Sequence, residues 1–280
     1  MNISEEDITL FNLTLRKYSD YDFSDYSEKS IRRRLAKVLV DQRMEITKLL
    51  ALIKRDKEFT EQIVKDITVN TTELFRDPEV WHMLRFRVLP NYKGHKKINI
   101  WHTGCSTGQE VYSMLILLNE LNLFEKSNVY ASDINSDVLD KTLKGVYKYR
   151  FNINYLDNFD KVIKENPYNF DDYNDVPYSK YFTIDKVKDT ITMHKFLRDK
   201  ISCKKQDLVK DENVFYRKFD IIFCRNVIIY FNHKLQNKVF HLFHENLFNS
   251  GHLVLGKQET MRGGISGNFE KHGQIYTKKR

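Results

Sequence analysis

The stretch Ile98-Asn-Ile-Trp-His-Thr-Gly-Cys-Ser-Thr-Gly-Gln-Glu-Val-Tyr-Ser113 constrains the fold more than any other part of the chain. It reads as a short buried strand, a turn bearing Gly104 and Gly108, and an amphipathic helix with Val111, Leu115 and Leu118 on one face. A strand passing through a glycine-bearing turn into a helix is where an open α/β sheet takes a nucleotide-like ligand. Glycine there lets the backbone approach that ligand closely. The spacing matches neither G-x-G-x-x-G nor G-x-x-x-x-G-K-S/T, and no lysine follows Gly108, so dinucleotide and phosphate-loop readings fit poorly. Glu110 opens the helix instead, a poor choice for cradling phosphate and a good one for a cationic or hydroxyl-rich ligand.

A second strand, Asn128-Val-Tyr-Ala-Ser-Asp133, ends in a carboxylate that can accept hydrogen bonds from both hydroxyls of a ribose. Asp at a strand end is also an ordinary turn former or helix cap. The two segments together point to an adenosine ligand without a pyrophosphate, and S-adenosylmethionine fits that description. Phe219-Asp-Ile-Ile-Phe-Cys224 is an almost wholly apolar run, as a central strand covered on both faces requires. Lys234 to Phe248 has helical periodicity with Leu235, Val239, Leu242 and Phe243 inward; Gly251 is read as its stop signal and His252-Leu-Val-Leu-Gly256 as a further strand. Gly263-Gly264, Phe269 and Gln274-Ile-Tyr-Thr277 are compatible with a closing hairpin.

Ahead of this sheet, helical patterns run through Ile8–Lys17, Lys29–Asp41, Ile46–Arg55 and Phe59–Ile67, with a linker at Thr68–Pro78. The fold expected is α/β: a Rossmann-like seven-stranded methyltransferase sheet with a small all-helical N-terminal domain. The domain limits expected are 1–68 for the helices, 69–92 for a linker contributing to the cofactor site, and 93–280 for the sheet. An insertion at about 150–200 is expected to form a small β-subdomain. The only biased stretch, Asn152 to Tyr178, is rich in Asn, Asp and Tyr and reads as a surface excursion. Cys105, Cys203 and Cys224 are too dispersed for a zinc cluster and too few for a disulfide framework, so they read as reduced, buried thiols. His241 and His244 share a helix face but no further ligand motif accompanies them. No apolar run approaches the roughly 20 residues of a membrane span, and no signal segment opens the chain, which together favour a cytoplasmic protein. The 46 Lys and Arg against 38 Asp and Glu favour acidic partners without specifying them.

Four motifs in order, Asn70-Thr-Thr-Glu-Leu-Phe-Arg-Asp-Pro78, Gly104-Cys-Ser-Thr-Gly-Gln-Glu-Val-Tyr-Ser113, Ala131-Ser-Asp-Ile-Asn135 and Phe223-Cys-Arg-Asn-Val-Ile-Ile-Tyr-Phe-Asn232, resemble the CheR-type chemotaxis receptor methyltransferases. The resemblance covers roughly residue 25 to the C-terminus. It implies that Asn70, Thr72 and Arg76 reach the cofactor from the linker, that Gly104 lies in the cofactor turn, and that Glu110 lies near the methionyl amino group. It implies that Asp133 binds the ribose, that Asp207 and Leu208 border the adenine, and that Arg225 and Asn226 end the fourth strand at the active site. Tyr230 matches a tyrosine beside the transferred methyl, with Arg225 helping to arrange the site. In Ile31-Arg-Arg-Arg-Leu35, Arg32, Arg33 and Arg34 match a basic helix that faces an acidic receptor helix, against the plain alternative of a solvated face.

The resemblance also implies a monomer that methylates glutamates in the cytoplasmic helical region of chemotaxis receptors, with neither nucleic acid nor membrane insertion. A glutamate of pKa about 4.3 is already ionised near neutrality, so no general base is needed. Gln109 stands where the family usually has Glu, Val111 where it has Pro, and Asp207 where Asn is common. Gly256-Lys-Gln-Glu259 replaces a more usual Gly-His-Ser-Glu. In some members the small β-subdomain docks a receptor tail peptide. Two rivals stand beside this reading. One is a nucleic-acid methyltransferase, against which Cys224-Arg-Asn-Val lacks the usual Asn/Asp-Pro-Pro-aromatic motif; the other is a non-catalytic module that only binds the cofactor.

Overall fold

The computed structural model describes residues 3–68 and 70–280. Met1, Asn2 and Val69, the last being the first residue of the expected linker, lie outside the described residues. Four helices come first: α1 (Glu5–Tyr18), α2 (Glu28–Asp41), α3 (Ile46–Ile53) and α4 (Lys57–Ile67). Ser4 and Asp7 form a reciprocal capping box on α1, and the Asp56 carboxylate caps α4 at the N–H of Phe59, which satisfies donors a helix start leaves free. Phe11, Leu15, Ile31, Leu35, Leu39, Leu49 and Ile63 form a core of their own between these helices.

From Asn70 the chain runs irregularly to Pro78, whose fixed φ opens α5 (Pro78–Met83). Helical turns continue to Tyr92, so much of the segment read as a linker is helical. Beyond it come β1 (Ile98–Thr103), α6 (Gln109–Glu120), β2 (Ser127–Asp133) and α7 (Ser136–Lys144). They are followed by β3 (Val146–Lys148), α8 (Tyr149–Asn152), α9 (Leu156–Phe159), β4 (Phe182–Asp185), β5 (Thr190–Met193) and α10 (Lys195–Arg198). The chain closes with β6 (Ile201–Lys205), β7 (Phe219–Cys224), α11 (His233–Asn246), β8 (Leu247–Leu255), β9 (Phe269–His272) and β10 (Ile275–Lys278).

Seven strands form one sheet in the order β6-β2-β1-β7-β8-β10-β9. The first five run parallel, while β10 is antiparallel to both β8 and β9. Every residue of β7 is buried, as its apolar run requires, because separate apolar clusters cover the two faces of the sheet. β3, β5 and β4 make a small antiparallel sheet that begins at Val146, slightly ahead of the expected insertion.

The structure departs from the sequence reading near the C-terminus. Helix α11 stops at Asn246 and passes directly into β8, so Gly251 is a strand residue and not a helix terminator. The β7–β8 register shifts between Phe219 and Ile221, and a Cβ at residue 251 would sit 2.9 Å from the Phe248 carbonyl and 3.1 Å from that of Asp220. Gly251 thus serves a bulge where two backbones approach closely.

The helices sit over the C-terminal ends of the parallel strands. The Ser27 N–H donates to the Tyr230 carbonyl at 2.8 Å and the Asn232 N–H to the Asp25 carbonyl at 2.9 Å. The Tyr26 and Phe231 rings meet edge to face at 5.0 Å, and Lys65 pairs with Asp137 at 2.8 Å.

Candidate active site

The strand order reverses at β1, which lies between β2 and β7, and a ligand crevice opens outside the strand ends at such a switch point. Gly104 there has φ +61°, and a Cβ on it would lie 2.5 Å from Val227 Cγ2. Gly108, at φ +91°, starts α6 with Thr142 Cγ2 only 2.6 Å from where a Cβ would be. Both positions therefore demand glycine for conformation and for space. Left-handed backbone recurs around the crevice at Phe75, Asp77, Ser106 and Asn226, where side chains make it costly and where strain commonly marks a functional site.

Asp133 ends β2 and is almost fully buried. Its oxygens accept from the N–H groups of Ser106 at 2.9 Å and Asn135 at 3.0 Å. Burial pushes its carboxyl up, with those backbone bonds opposing. Behind it Trp101 Nε1 donates to Ser132 Oγ, which donates to Gln206 Oε1, whose amide reaches the Glu212 carbonyl. This relay pins the loop that carries Asp207 and Leu208. Burial also raises the Asp207 carboxyl, which accepts from the Val209 N–H.

The charged centre is built around Arg225, whose side chain is 1% exposed. Its guanidinium donates to Glu110 Oε2 at 3.1 Å, to Asp77 Oδ2 at 2.8 Å and to the Arg76 carbonyl at 2.8 Å. The other Glu110 oxygen lies 2.9 Å from His102 Nδ1. Burial alone would raise the Glu110 carboxyl, but the bonds from His102 and Arg225 win and hold it below its ordinary value. Glu259, 2% exposed, accepts from the N–H groups of Asn226, Val227, Ile229 and Gly256, so one carboxylate fixes the segment that follows β7.

One cleft of about 1100 Å³, its open mouth included, gathers the expected residues. Asn70, Thr72, Arg76, Gly104, Glu110, Asp133, Asp207, Leu208, Arg225, Asn226 and Tyr230 all line it. The three arginines of α2 separate. Arg34 lines the cleft, Arg32 bonds the Ile3 carbonyl and Glu28, and Arg33 is exposed. Sequence reasoning missed Tyr26 and Gln206 in the lining, and Asp77, His102 and Glu259 behind it. Asp77, His102 and Glu259 all lay in stretches singled out in the sequence, but none was given a role there.

The sheet order and the cleft define a Rossmann-like fold of the methyltransferase type. The family model described as "CheR methyltransferase, SAM binding domain" matches residues 70–166 and 164–277. The Cher3 protein of Pseudomonas putida is 34% identical over 88% of this chain and 85% of its own length. A chemotaxis protein methyltransferase of Borreliella burgdorferi is 28% identical, covering 81% of each chain, and one of Listeria monocytogenes is 24% identical over 91% and 90%. A solved TehB-like methyltransferase of Corynebacterium glutamicum aligns with TM-score 0.37 and 11% identity over 68% of this chain and 83% of that one, too remote to bear on the argument. The chain belongs to the CheR methyltransferase family.

S-adenosylmethionine is the cofactor of this family's domain, and the cleft fits it. Ser106 Oγ, Arg34 Nε and Arg225 Nε are buried without hydrogen-bond partners, and all three residues line the cleft. Buried polar atoms are rarely left unpaired, so a polar ligand is the natural complement. Gly104 leaves room for the Val227 side chain, which also lines the cleft.

Proposed function

We propose that the chain methylates glutamate side chains of chemotaxis receptors, forming glutamyl methyl esters. The observation that carries this reading is the cleft lining: it offers a guanidinium and a phenol, from Arg34 and Tyr230, and among the described residues no histidine lines it. Cys105 lines it too, but burial pushes that thiol well up, which makes it a poor base or nucleophile. Such a site suits an acceptor that arrives already ionised, as a glutamate does. The names of the Borreliella and Listeria relatives support chemotaxis as the setting.

S-adenosylmethionine supplies a methyl group on a sulfonium. In this reading Asp133 receives the ribose hydroxyls, Asp207 and Leu208 border the adenine, and Glu110 with Arg225 takes the amino-acid end. Asn70, Thr72 and Arg76 close over it from the segment before α5, while Gly104 and Asn226 frame the turn. Tyr230 donates to the attacking carboxylate and holds it in line, and closure under the helices strips water from it. Arg33 stays free on α2 to meet an acidic receptor helix. The chain acts as a cytoplasmic monomer, with residues 1–68 as the helical domain, 69–92 as the connection and 93–280 as the catalytic domain; among the described residues no helix is long and apolar enough to cross a membrane.

Incubation with methyl-labelled S-adenosylmethionine and membranes from the native source, followed by base, tests the reading. Volatile labelled methanol is expected from a carboxyl ester. Label transferred but stable to base would overturn the assignment and point to amine or nucleic-acid acceptors.

A further inference from the structure

His102 lies on β1 with a fully buried side chain. Its ring stacks on Phe223, with centroids 4.3 Å apart and planes 13° from parallel, and Nδ1 faces Glu110 Oε1 at 2.9 Å. Nε2 is buried and has no partner. Buried imidazoles normally use both nitrogens, so this arrangement needs a reason.

The geometry selects one tautomer of the neutral ring. With the proton on Nδ1, the ring donates to the Glu110 carboxylate, and only a buried lone pair is left without a partner. With the proton on Nε2, a lone pair would face the carboxylate oxygen and an N–H would be buried with nothing to receive it. The second arrangement breaks two interactions where the first leaves one unmade. Glu110 is held at its other oxygen by Arg225, so His102 and Arg225 together fix the plane of the carboxylate. Each oxygen keeps a further lone pair, and Glu110 lines the cleft.

We propose that His102 is a positioning residue: its Nδ1–H sets the orientation of the Glu110 carboxylate, and through it the recognition of the ammonium group of the ligand. This rests on the placement of the cofactor's amino-acid end at Glu110. His102 does not line the cleft, so it acts only through the Glu110 carboxylate.

Two substitutions separate positioning from packing. In His102→Asn the side-chain amide can occupy the place of Nδ1 and keep the donor; His102→Leu keeps bulk against Phe223 and loses the donor. S-adenosylhomocysteine carries the same ammonium, and its affinity can be measured by calorimetry. His102→Leu is expected to bind it about tenfold or more weakly, the scale of a charge-assisted hydrogen bond, and His102→Asn to recover most of that loss. Equal affinities for the two variants would overturn the proposal. Independently, ¹⁵N NMR of the cofactor-free protein, with the His102 signals assigned by their loss in His102→Asn, should show a protonated Nδ1 and a bare Nε2. A protonated Nε2 with bare Nδ1 would overturn it even if His102→Leu fails to fold. Failure of the wild type to bind S-adenosylhomocysteine would instead count against the cofactor placement, and the NMR result would still decide the tautomer.

Discussion

Replacing Glu259 by glutamine tests how the segment carrying Arg225, Asn226 and Tyr230 is held. The carboxylate receives four backbone N–H groups: Asn226 at 2.8 Å and Gly256 at 2.7 Å on one oxygen, Val227 at 2.9 Å and Ile229 at 3.3 Å on the other. Glutamine keeps one oxygen and points an amide nitrogen at one of these pairs, donor against donor. Each buried donor left unmet costs about 1–3 kcal/mol. Part of this is offset, because burial disfavours the anion and pushes the Glu259 carboxyl up, and an amide relieves that penalty. A net loss of about 2–4 kcal/mol follows, which in a chain of this size lowers the melting temperature by roughly 4–12 °C. Differential scanning calorimetry of Glu259→Gln beside wild type measures it, and titration with S-adenosylhomocysteine shows whether the cleft loosens with the segment. A variant that melts and binds like wild type would refute the reasoning, since the four hydrogen bonds would then be replaceable at no cost.

Tyr230→Phe is expected to lower kcat by about 2–10-fold, the worth of one hydrogen bond, with cofactor affinity unchanged; steady-state kinetics with calorimetry checks both. Asp133→Ala should weaken S-adenosylhomocysteine binding by about 10–100-fold, as loss of a charge-assisted contact to the ribose implies, and wild-type affinity by calorimetry would sink the assignment. Glu110 gives a pH dependence of known sign. Burial opposes its ionisation, yet His102 and Arg225 hold its native value below the ordinary 4.5, so on acidification the unfolded chain takes up the proton first. Its stabilising contribution is therefore complete above that ordinary value and is lost as pH falls through the depressed native one. Urea unfolding of wild type against Glu110→Gln should show a stability gap that narrows only as pH drops below about 4.5, whereas a gap that widens there would contradict the arrangement.

What the sequence disclosed about the fold was whatever had a local cause. Glycine spacing, a strand ending in a carboxylate and an almost wholly apolar run placed β1, α6, β2 and β7, and helical periodicity placed the first four helices. Where one local signal serves two structures, the reading failed. Gly251 after a periodic stretch looks like a helix stop, and only the β7–β8 register shows it to be a bulge. The connecting segment from Pro78 to Tyr92 contains no glycine, and it is in fact helical. The arginine run shows a third kind of ambiguity. Consecutive residues on a helix point about 100° apart, so Arg32, Arg33 and Arg34 cannot share a face. One lines the cleft, one is tied down beside α2 and one is free.

The candidate site divides along the same line. Glu110 and Asp133, read from their chemistry toward a ligand, and Arg225, read from the family resemblance, stand in a recognisable order along the chain. Residues that hold those groups in place do not, because their meaning depends on partners far away in sequence. Asp77 and His102 sit inside sequence motifs without a role until Asp77 is seen 2.8 Å from Arg225 and His102 2.9 Å from Glu110. Yet a guanidinium as buried as that of Arg225 is tenable only because Asp77, Glu110 and a carbonyl surround it. Removing either carboxylate would leave a buried charge short of partners, which costs more than the pair itself contributes. The network therefore has to be kept as a unit, and it ties the segment before α5, the start of α6 and the end of β7 to one another at the strand switch. That linkage explains why the cleft can be lined from so many parts of the chain and still hold a single shape.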